Sequence, residues 1–345
     1  MSRPPLRWAL VGASDIAATQ VLPALRAVGD TAVVVRSGDQ RHGSAWAERN
    51  GVPRAVTELA AAVERDDVDA VYVSSLNPQH HEHVLAAAAA GKHVLAEKPL
   101  ALSLADAQDM VQACGRAGVV LAVNHHLPAS PTHRAVRRLV AEGAVGRVRA
   151  VAVQHAVQLP ERLAGWRLAD PVGGGVVLDI TVYDAAAVAA ILDGHAREVT
   201  AVAGNQDNPE GSPFDAVMTA ATWDGGVLVQ THDAYNNRHA PTGLQVLGTD
   251  GALIAHDCNG GEPVGTVELI RGGGREQVDV GPRQGLYETT VRAFGDAAHG
   301  HGRVIVSGED GVAALAVALA VAESLRSGRL TTVRYPTLIR VPPLP

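Results

Sequence analysis

Three side chains in this sequence could transfer protons at a carbonyl or an alcohol. Asp179 and Tyr183 are four residues apart, a spacing that puts both side chains on one face of a helix. A nearby ammonium favours the phenolate, so the phenol of Tyr183 could lose or lend a proton at a carbinol oxygen while Asp179 orients the substrate hydroxyl. Lys98, held extended because it precedes a proline, could supply that ammonium. The alternatives are a surface lysine, a core tyrosine and an aspartate that caps a helix.

A glycine turn near the start of the chain has the features of a dinucleotide-binding loop. Residues 12–17, GASDIA, follow an apolar run and open a helical segment. Backbone N–H groups and the helix dipole at such a place favour a pyrophosphate. Ser14 and Ala17 replace the second and third glycines of the usual GxGxxG pattern, and both are small enough to allow close approach. The alternative is an ordinary strand-to-helix turn.

The end of the second apolar run favours NADP over NAD. An NAD enzyme places an acidic residue there to bind the ribose, whereas TAVVVRS ends in Arg36 and Ser37. A guanidinium can pair with a 2′-phosphate, and a hydroxyl can hydrogen-bond to it. Arg41 and His42 are further donors. Asp39 could contact the ribose in another loop conformation, so NAD stays the alternative.

Two more polar segments follow apolar strands, at the strand ends where ligands bind in parallel α/β sheets. Asn77 and His80 come after the third such strand, and Glu97, Lys98 and Pro99 come after the fourth. The sequence therefore predicts one binding edge built from successive loops.

Short β-branched runs alternate with alanine-rich helical windows from residue 7 to residue 123. The runs are continuously apolar rather than alternating, which is typical of parallel strands covered on both faces. We therefore predict an α/β fold whose N-terminal domain, residues 1–123, is a Rossmann doubly wound parallel sheet.

The alternation of strands and helices ends after residue 124. Several predicted strands then follow one another, joined by turns such as Asp224-Gly225 and Asp250-Gly251. This indicates a C-terminal α+β domain, residues 124–345, with a large, mostly antiparallel open sheet; we expect its last residues to pack back on the N-terminal domain. Apolar residues on the exposed face of such a sheet favour burial against a second copy of the chain. A homo-dimer or homo-tetramer through this sheet is expected.

Composition narrows the possible partners. The net charge is −7 and Lys and Arg are scattered singly, which excludes a nucleic-acid partner. The longest apolar stretch, residues 311–322, is too short to span a membrane, and the start of the chain lacks an apolar signal core, so we expect a cytoplasmic protein. The two cysteines cannot form a disulfide framework, and the fifteen histidines show no metal-ligand spacing. No metal is expected.

Together these motifs resemble the glucose–fructose oxidoreductase / inositol dehydrogenase (Gfo/Idh/MocA) family. The glycine turn, the Glu97-Lys98-Pro99 segment and the Asp179/Tyr183 pair occur in that family's order, and the resemblance covers nearly the whole chain. It implies NADPH-dependent reduction of a ketone of a sugar or cyclic polyol derivative, with Lys98, Asp179 and Tyr183 at the carbonyl. Some reductases of the family carry histidine where Tyr183 stands, and this difference leaves the substrate open.

The motifs and the resemblance together predict a set of cofactor and substrate contacts. His126 and His155 are the candidate substrate-pocket histidines. The predicted NADP(H) contacts are Gly12, Ala13, Ser14, Asp15, Ile16, Arg36, Ser37, Arg41, His42, Ser74, Ser75, Asn77, His80, Glu97, Lys98, Asn124, Trp166, Arg167 and Tyr287.

The sequence therefore predicts an oxidoreductase that takes a small carbohydrate or polyol. One alternative is an NADP-dependent dehydrogenase of a dihydrodiol, an inositol or a sugar alcohol. Another is a non-catalytic protein that senses the cofactor, although such a protein would not need the lysine, the aspartate and the tyrosine together.

Overall fold

The computed structural model describes residues 3–209 and 211–337, which form two compact units. The first unit contains residues 3–124, 287–312 and 336–337, and the second contains the described residues of 125–286 and 313–335. The sequence analysis assigned the helix near residue 290 to the second domain, whereas residues 287–312 group with the first unit. The division of the chain at residue 123 stays a prediction, and residues 338–345 lie outside the described residues.

The first unit is built on a six-stranded parallel sheet with the strand order β3-β2-β1-β4-β5-β6. The strand order reverses between β1 and β4, the place where doubly wound sheets bind ligands. The strands are β1 Arg7–Val11, β2 Thr31–Arg36, β3 Ala55–Val56, β4 Ala70–Val73, β5 His93–Ala96 and β6 Leu121–Val123. The helices among them are α1 Leu22–Ala27, α2 Gln40–Asn50, α3 Ala60–Val63, α4 His80–Ala89 and α5 Leu104–Ala117.

Burial explains why these strands are apolar throughout. Every residue of β4 is buried, as are the last four residues of β1. Trp8 on β1 packs against Phe294, with ring centroids 5.0 Å apart. Phe294 belongs to a helix that returns to this unit from far along the chain, α9 Leu286–Ala298. The parallel sheet predicted from the sequence is confirmed.

In the part of the chain that the structure describes, the second unit is built on a nine-stranded sheet whose strands pair antiparallel except for β7 and β10. Its strand order is β14-β13-β12-β11-β7-β10-β9-β8-β15. The strands are β7 Val148–Ala156, β8 Ala196–Gly204, β9 Ala216–Trp223, β10 Val227–Ala234, β11 Gly243–Gly248, β12 Ala252–His256, β13 Thr266–Arg271, β14 Gly274–Gln277 and β15 Thr331–Thr332. This confirms the mostly antiparallel open sheet.

The helices that complete the chain include one that the sequence analysis missed. They are α6 Pro131–Ala141, α7 Glu161–Ala169, α8 Val182–Leu192 and α10 Gly308–Ser327. The missed helix is α7, which is short, has no buried residue and bends at Gly165. A π-helical turn, Val177–Thr181, leads directly into α8, and a similar turn, Ala17–Val21, leads into α1.

One face of the large sheet carries exposed apolar side chains on four of five consecutive strands. They are Val202 on β8, Met218 on β9, Leu228 on β10 and Leu247 on β11. Val202 pairs directly with Met218, and Leu228 and Leu247 flank the same residue of β7. We call these four side chains the sheet-face patch.

Candidate active site

The glycine turn lies at the point where the strand order reverses in the first unit. Gly12 has φ +123°, and a Cβ there would lie 2.7 Å from the carbonyl atoms of Ser74, so only glycine fits. The hydroxyls of Ser14 and Ser74 lie 2.8 Å apart. The loop after β1 and the loop after β4 therefore meet, as a binding site at this place requires.

The residues after β2 form a second group of candidate contacts. Arg36 donates its Nε–H to the carbonyl oxygen of Thr57, 3.0 Å away. Asp39 is the N-cap of α2, where its Oδ1 accepts from the backbone N–H of His42 at 2.6 Å. The ring of His42 reaches the carbonyl oxygen of Ala13 with Nε2 at 3.1 Å. One oxygen of the Asp39 carboxylate is thus engaged at the start of α2.

The end of β5 is fixed by hydrogen bonds to Glu97. Its Oε1 accepts from the hydroxyl of Tyr72 at 2.7 Å and from the side-chain amide of Asn124 at 2.6 Å. Asn124 in turn hydrogen-bonds to the side chain of Tyr287 on α9. Lys98, next in the chain, is half-buried, and its peptide bond to Pro99 is cis. Sequence reasoning missed Tyr72, whose role depends on pairing between β4 and β5.

His80 connects the loop after β4 to the segment that carries Lys98. Its Nδ1 lies 3.0 Å from the carbonyl oxygen of Pro99 and its Nε2 lies 3.1 Å from that of Ser75. Burial lowers the pKa of this imidazole. His83 bonds through Nδ1 to the hydroxyl of Ser75, and burial lowers its pKa to about 4. His80 therefore holds two of the predicted cofactor loops in place from inside the fold.

Two neighbouring side chains anchor Asp179, a proposed catalytic residue in the second unit. Its Oδ2 accepts from Nε of Arg167 at 2.9 Å and from the hydroxyl of Tyr235 at 2.9 Å. Burial and the Asp179 carboxylate raise the pKa of Tyr235 well above its usual value, so the phenol stays protonated and donates. Sequence reasoning missed Tyr235, because it lies 56 residues away and no local motif marks it.

Arg167 is placed by the end of α7 and the glycine run that follows it. Its guanidinium stacks over the ring of Trp166, with 4.7 Å from the guanidinium carbon to the ring centroid. A Cβ at Gly174 would lie within 2.8 Å of the carbonyl oxygens of Arg167 and Trp166, so the backbone packs closely there. The glycines thus allow the chain to fold back and bring Arg167 onto Asp179.

Tyr183 lies on α8, one turn after Asp179. Its ring packs edgewise against His126, with centroids 4.7 Å apart, and against His125 at 5.5 Å. Leu127 completes this apolar contact. The guanidinium of Arg167 interacts electrostatically with both Asp179 and Tyr183. The second unit therefore brings together Asp179, Tyr183, Arg167 and His126.

His155, the other candidate pocket histidine, is a buried residue of β7 bonded to Asp184.

In the first unit, Asp15 and Ile16 begin the helix after the glycine turn, Asn77 begins a 3₁₀ turn, and Arg41 is exposed on α2. Lys98 belongs to the first unit, whereas Asp179 and Tyr183 belong to the second. A common site for these three residues stays a prediction.

The described residues contain no group of three or more His, Cys, Asp or Glu side chains arranged to hold a metal ion. Within the same residues, no helix is long and apolar enough to cross a membrane.

Comparison with known proteins identifies the family. Residues 6–125 match the oxidoreductase family with an NAD-binding Rossmann fold, GFO_IDH_MocA, and residues 133–254 match the GFO/IDH/MocA C-terminal domain. A 1,5-anhydro-D-fructose reductase of Ensifer adhaerens is 45% identical over 328 residues, 95% of this chain and 98% of that protein. The chain belongs to the Gfo/Idh/MocA family. It is therefore an oxidoreductase, and the resemblance expected from the sequence is confirmed.

Other members of the Gfo/Idh/MocA family are similar over most of their length. A dTDP-3,4-didehydro-2,6-dideoxy-alpha-D-glucose 3-reductase of Streptomyces violaceoruber is 35% identical over 252 residues, 72% of each chain. The crystal structure of a 3-ketoreductase from Actinomadura kijaniata, in complex with NADP and TDP-benzene, superposes with a TM-score of 0.82 at 28% identity, covering 93% of this chain and 98% of that one.

The first unit of this Gfo/Idh/MocA protein fits the dinucleotide that its fold implies. The glycine turn, open to close backbone approach at Gly12, leads into a helix whose N-terminal amides favour a pyrophosphate. Arg36 ends β2 and Ser37 follows it, at the strand end where the ribose is bound in this fold. When bound, a nicotinamide cofactor supplies or accepts the hydride.

Proposed function

We propose that this protein reduces a ketone of a sugar or cyclic polyol derivative and uses NADPH to do so. The observation that carries the proposal is the carboxylate of Asp179, fixed by Arg167 and Tyr235 on the turn that leads into the helix of Tyr183. Similarity to a 1,5-anhydro-D-fructose reductase supports a ketose of this class.

In this proposal the three catalytic side chains have separate roles at the carbonyl oxygen. Tyr183 donates the proton that the oxygen needs when the ketone becomes an alcohol. Lys98 and Asp179 orient and polarise the oxygen, and fixed charges of this kind stabilise the transition state because they need no reorganisation. The edgewise packing of His125 and His126 restricts the phenol ring to one orientation.

NADPH is the proposed reductant because the residues after β2 offer a guanidinium and a hydroxyl. Arg36 supplies the guanidinium and Ser37 supplies the hydroxyl, whereas the nearby carboxylate of Asp39 caps α2. Binding of NADP by the Actinomadura kijaniata 3-ketoreductase is consistent with this choice.

The proposal also includes the oligomeric state and the cellular location that the sequence analysis expected. The sheet-face patch would be covered by the same face of a second copy, giving a homo-dimer or a homo-tetramer. We propose that the enzyme acts on its small carbohydrate substrate in the cytoplasm.

Turnover of Lys98→Ala and Tyr183→Phe tests the catalytic roles. NADPH oxidation would be followed with 1,5-anhydro-D-fructose and a panel of related ketoses, together with NADP⁺ reduction by the matching alcohols. We expect both variants to lose at least about 100-fold in kcat, typical of a lost proton donor or electrostatic group. Tyr335→Phe, which removes a phenol bonded to the backbone of Ala196, is the matched control. Unchanged turnover in both catalytic variants would contradict these roles.

A further inference from the structure

The second unit buries three titratable side chains that contact one another beside Tyr183. Asp184 follows Tyr183 on α8 and Asp233 lies on β10, and both are 0% exposed. His155 on β7 is 8% exposed, with Nδ1 2.8 Å from Oδ1 of Asp184. The two carboxyl groups hydrogen-bond to each other. The proposed roles at the carbonyl use neither of these acids.

A hydrogen bond between two carboxyl groups requires a proton. Oδ2 of Asp184 and Oδ1 of Asp233 receive no hydrogen bond from any other described N–H or hydroxyl group, so these oxygens are the ones left to share it. Two ionised carboxylates in contact would repel each other strongly in a site that excludes water. The pair therefore holds one proton and one negative charge.

The remaining hydrogen bonds indicate where the proton lies. Oδ2 of Asp233 accepts only from neutral hydroxyls, Thr181 at 2.6 Å and Thr231 at 3.1 Å. Oδ1 of Asp184 faces an imidazole, which can carry a positive charge, and charge-assisted hydrogen bonds are about twice as strong as neutral ones. We propose that Asp233 is protonated, that Asp184 carries the negative charge, and that this charge holds His155 as an imidazolium.

Burial raises the pKa of Asp184 to about 7. Burial and the neighbouring Asp184 carboxylate raise the pKa of Asp233 well above the usual aspartate value, which agrees with Asp233 as the residue that holds the proton. Two other titratable groups interact with the cluster, His133 on α6 and Cys258 after β12. Burial lowers the pKa of His133 to about 4 and raises that of Cys258 to about 12, so both are neutral at neutral pH. The imidazolium and Asp184 thus form the charged pair of the cluster.

The consequence for catalysis rests on the proposed function, whereas the charge assignment does not. If His155 contacts the substrate, an imidazolium presents an N–H donor rather than a lone pair toward the sugar hydroxyls. Asp184 acts through His155, so it is a positioning residue.

Asparagine substitutions distinguish the two aspartates. At position 233 the amide N–H can replace the proton donated to Asp184, and the amide oxygen can accept from Thr181 and Thr231. At position 184 an amide removes the negative charge beside His155. We expect Asp233→Asn to keep the His155 imidazolium at about pH 7, seen by ¹⁵N NMR of the ring, and to keep kcat/KM within about threefold. Asp184→Asn should lose the imidazolium signal and at least about tenfold in kcat/KM, the loss expected for a charged hydrogen bond.

A second measurement covers the case in which Asp184→Asn does not fold. Infrared spectra of the wild-type protein should show a protonated carboxyl band that is missing from Asp233→Asn. A neutral His155 in the wild-type protein at about pH 7, or a carboxyl band that persists in Asp233→Asn, would overturn the inference. A wild-type protein with the imidazolium but without ketose reduction would overturn the proposed function alone.

Discussion

Tyr235 donates its hydroxyl to Oδ2 of Asp179, the oxygen that also accepts from Arg167. Both donors bind the same oxygen of the carboxylate, which restrains its position. Because Asp179 and Tyr235 are both buried, the hydrogen bond from Tyr235 holds the carboxylate in place more strongly than a hydrogen bond at the protein surface would.

Tyr235→Phe should therefore reduce catalysis without unfolding the protein. A hydrogen bond to a charged group contributes about 1.5–3 kcal/mol, which corresponds to roughly a 10- to 100-fold loss in kcat/KM. Steady-state kinetics with NADPH and a ketose check this, with Tyr335→Phe as the control that removes a phenol from a backbone contact. Equal kinetics for the two variants would show that Tyr235 does not position Asp179.

Gly12→Ala should abolish cofactor binding, because its Cβ would lie 2.7 Å from backbone atoms of Ser74, which cannot move aside without disturbing β4. Gly29→Ala is the matched control, since Gly29 also has a positive φ, +84°, but has open space around it. Fluorescence titration with NADPH measures the difference. Tight NADPH binding by Gly12→Ala would rule out this account of the turn.

Arg36→Ala should change cofactor preference. Losing a guanidinium that pairs with a 2′-phosphate should raise KM for NADPH about 10- to 100-fold and leave KM for NADH nearly unchanged. Arg54→Ala, an exposed arginine just before β3, is the control. If KM rises equally for both cofactors, the loss of the contact to Thr57 has disturbed the fold and the phosphate contact is excluded.

The buried acid pair predicts a specific dependence of stability on pH. The folded protein keeps a proton that an unfolded aspartate releases near its usual pKa, so the free energy of unfolding falls as pH rises from about 4 through the raised folded pKa of the pair. Relative to Asp233→Asn, the wild-type protein should lose up to about 1.4 kcal/mol per pH unit over this window. Urea unfolding from about pH 5 to about pH 8 measures the difference. Parallel curves for the two proteins would contradict the shared proton.

Met218→Glu should dissociate the proposed oligomer. Met218 belongs to the sheet-face patch and is 52% exposed, and a charge there would be buried unpaired in an interface formed by this face. Light scattering measures the mass, with Val264→Glu as a control because Val264 is 50% exposed outside the sheet. A wild-type monomer, or an unchanged mass in Met218→Glu, would exclude this interface.

The fold and the glycine turn could be predicted because each depends on short, continuous stretches of the sequence. Continuous apolar runs indicate buried parallel strands, and a turn before a helix indicates an anion site. The pair Asp179 and Tyr183 was also visible, because four residues separate its members.

The partners that fix those residues could not be predicted, because they come from distant strands. Tyr235 reaches Asp179 across 56 residues. Asp184 and Asp233 stand out by no local motif and meet only when the π-helical turn before α8 packs against β10. The return of α9 to the first unit depends on the fit of Phe294 against Trp8, which no periodicity encodes.

Thr231 and Asp233 lie at alternate positions of β10 and Tyr235 follows directly after the strand, and each takes part in the hydrogen bonds that hold the segment from Asp179 to Asp184. A deletion or insertion of one residue in the hairpin before β10 would turn all three toward the opposite face at once. The length of that hairpin is therefore constrained by the hydrogen bonds that hold the segment from Asp179 to Asp184.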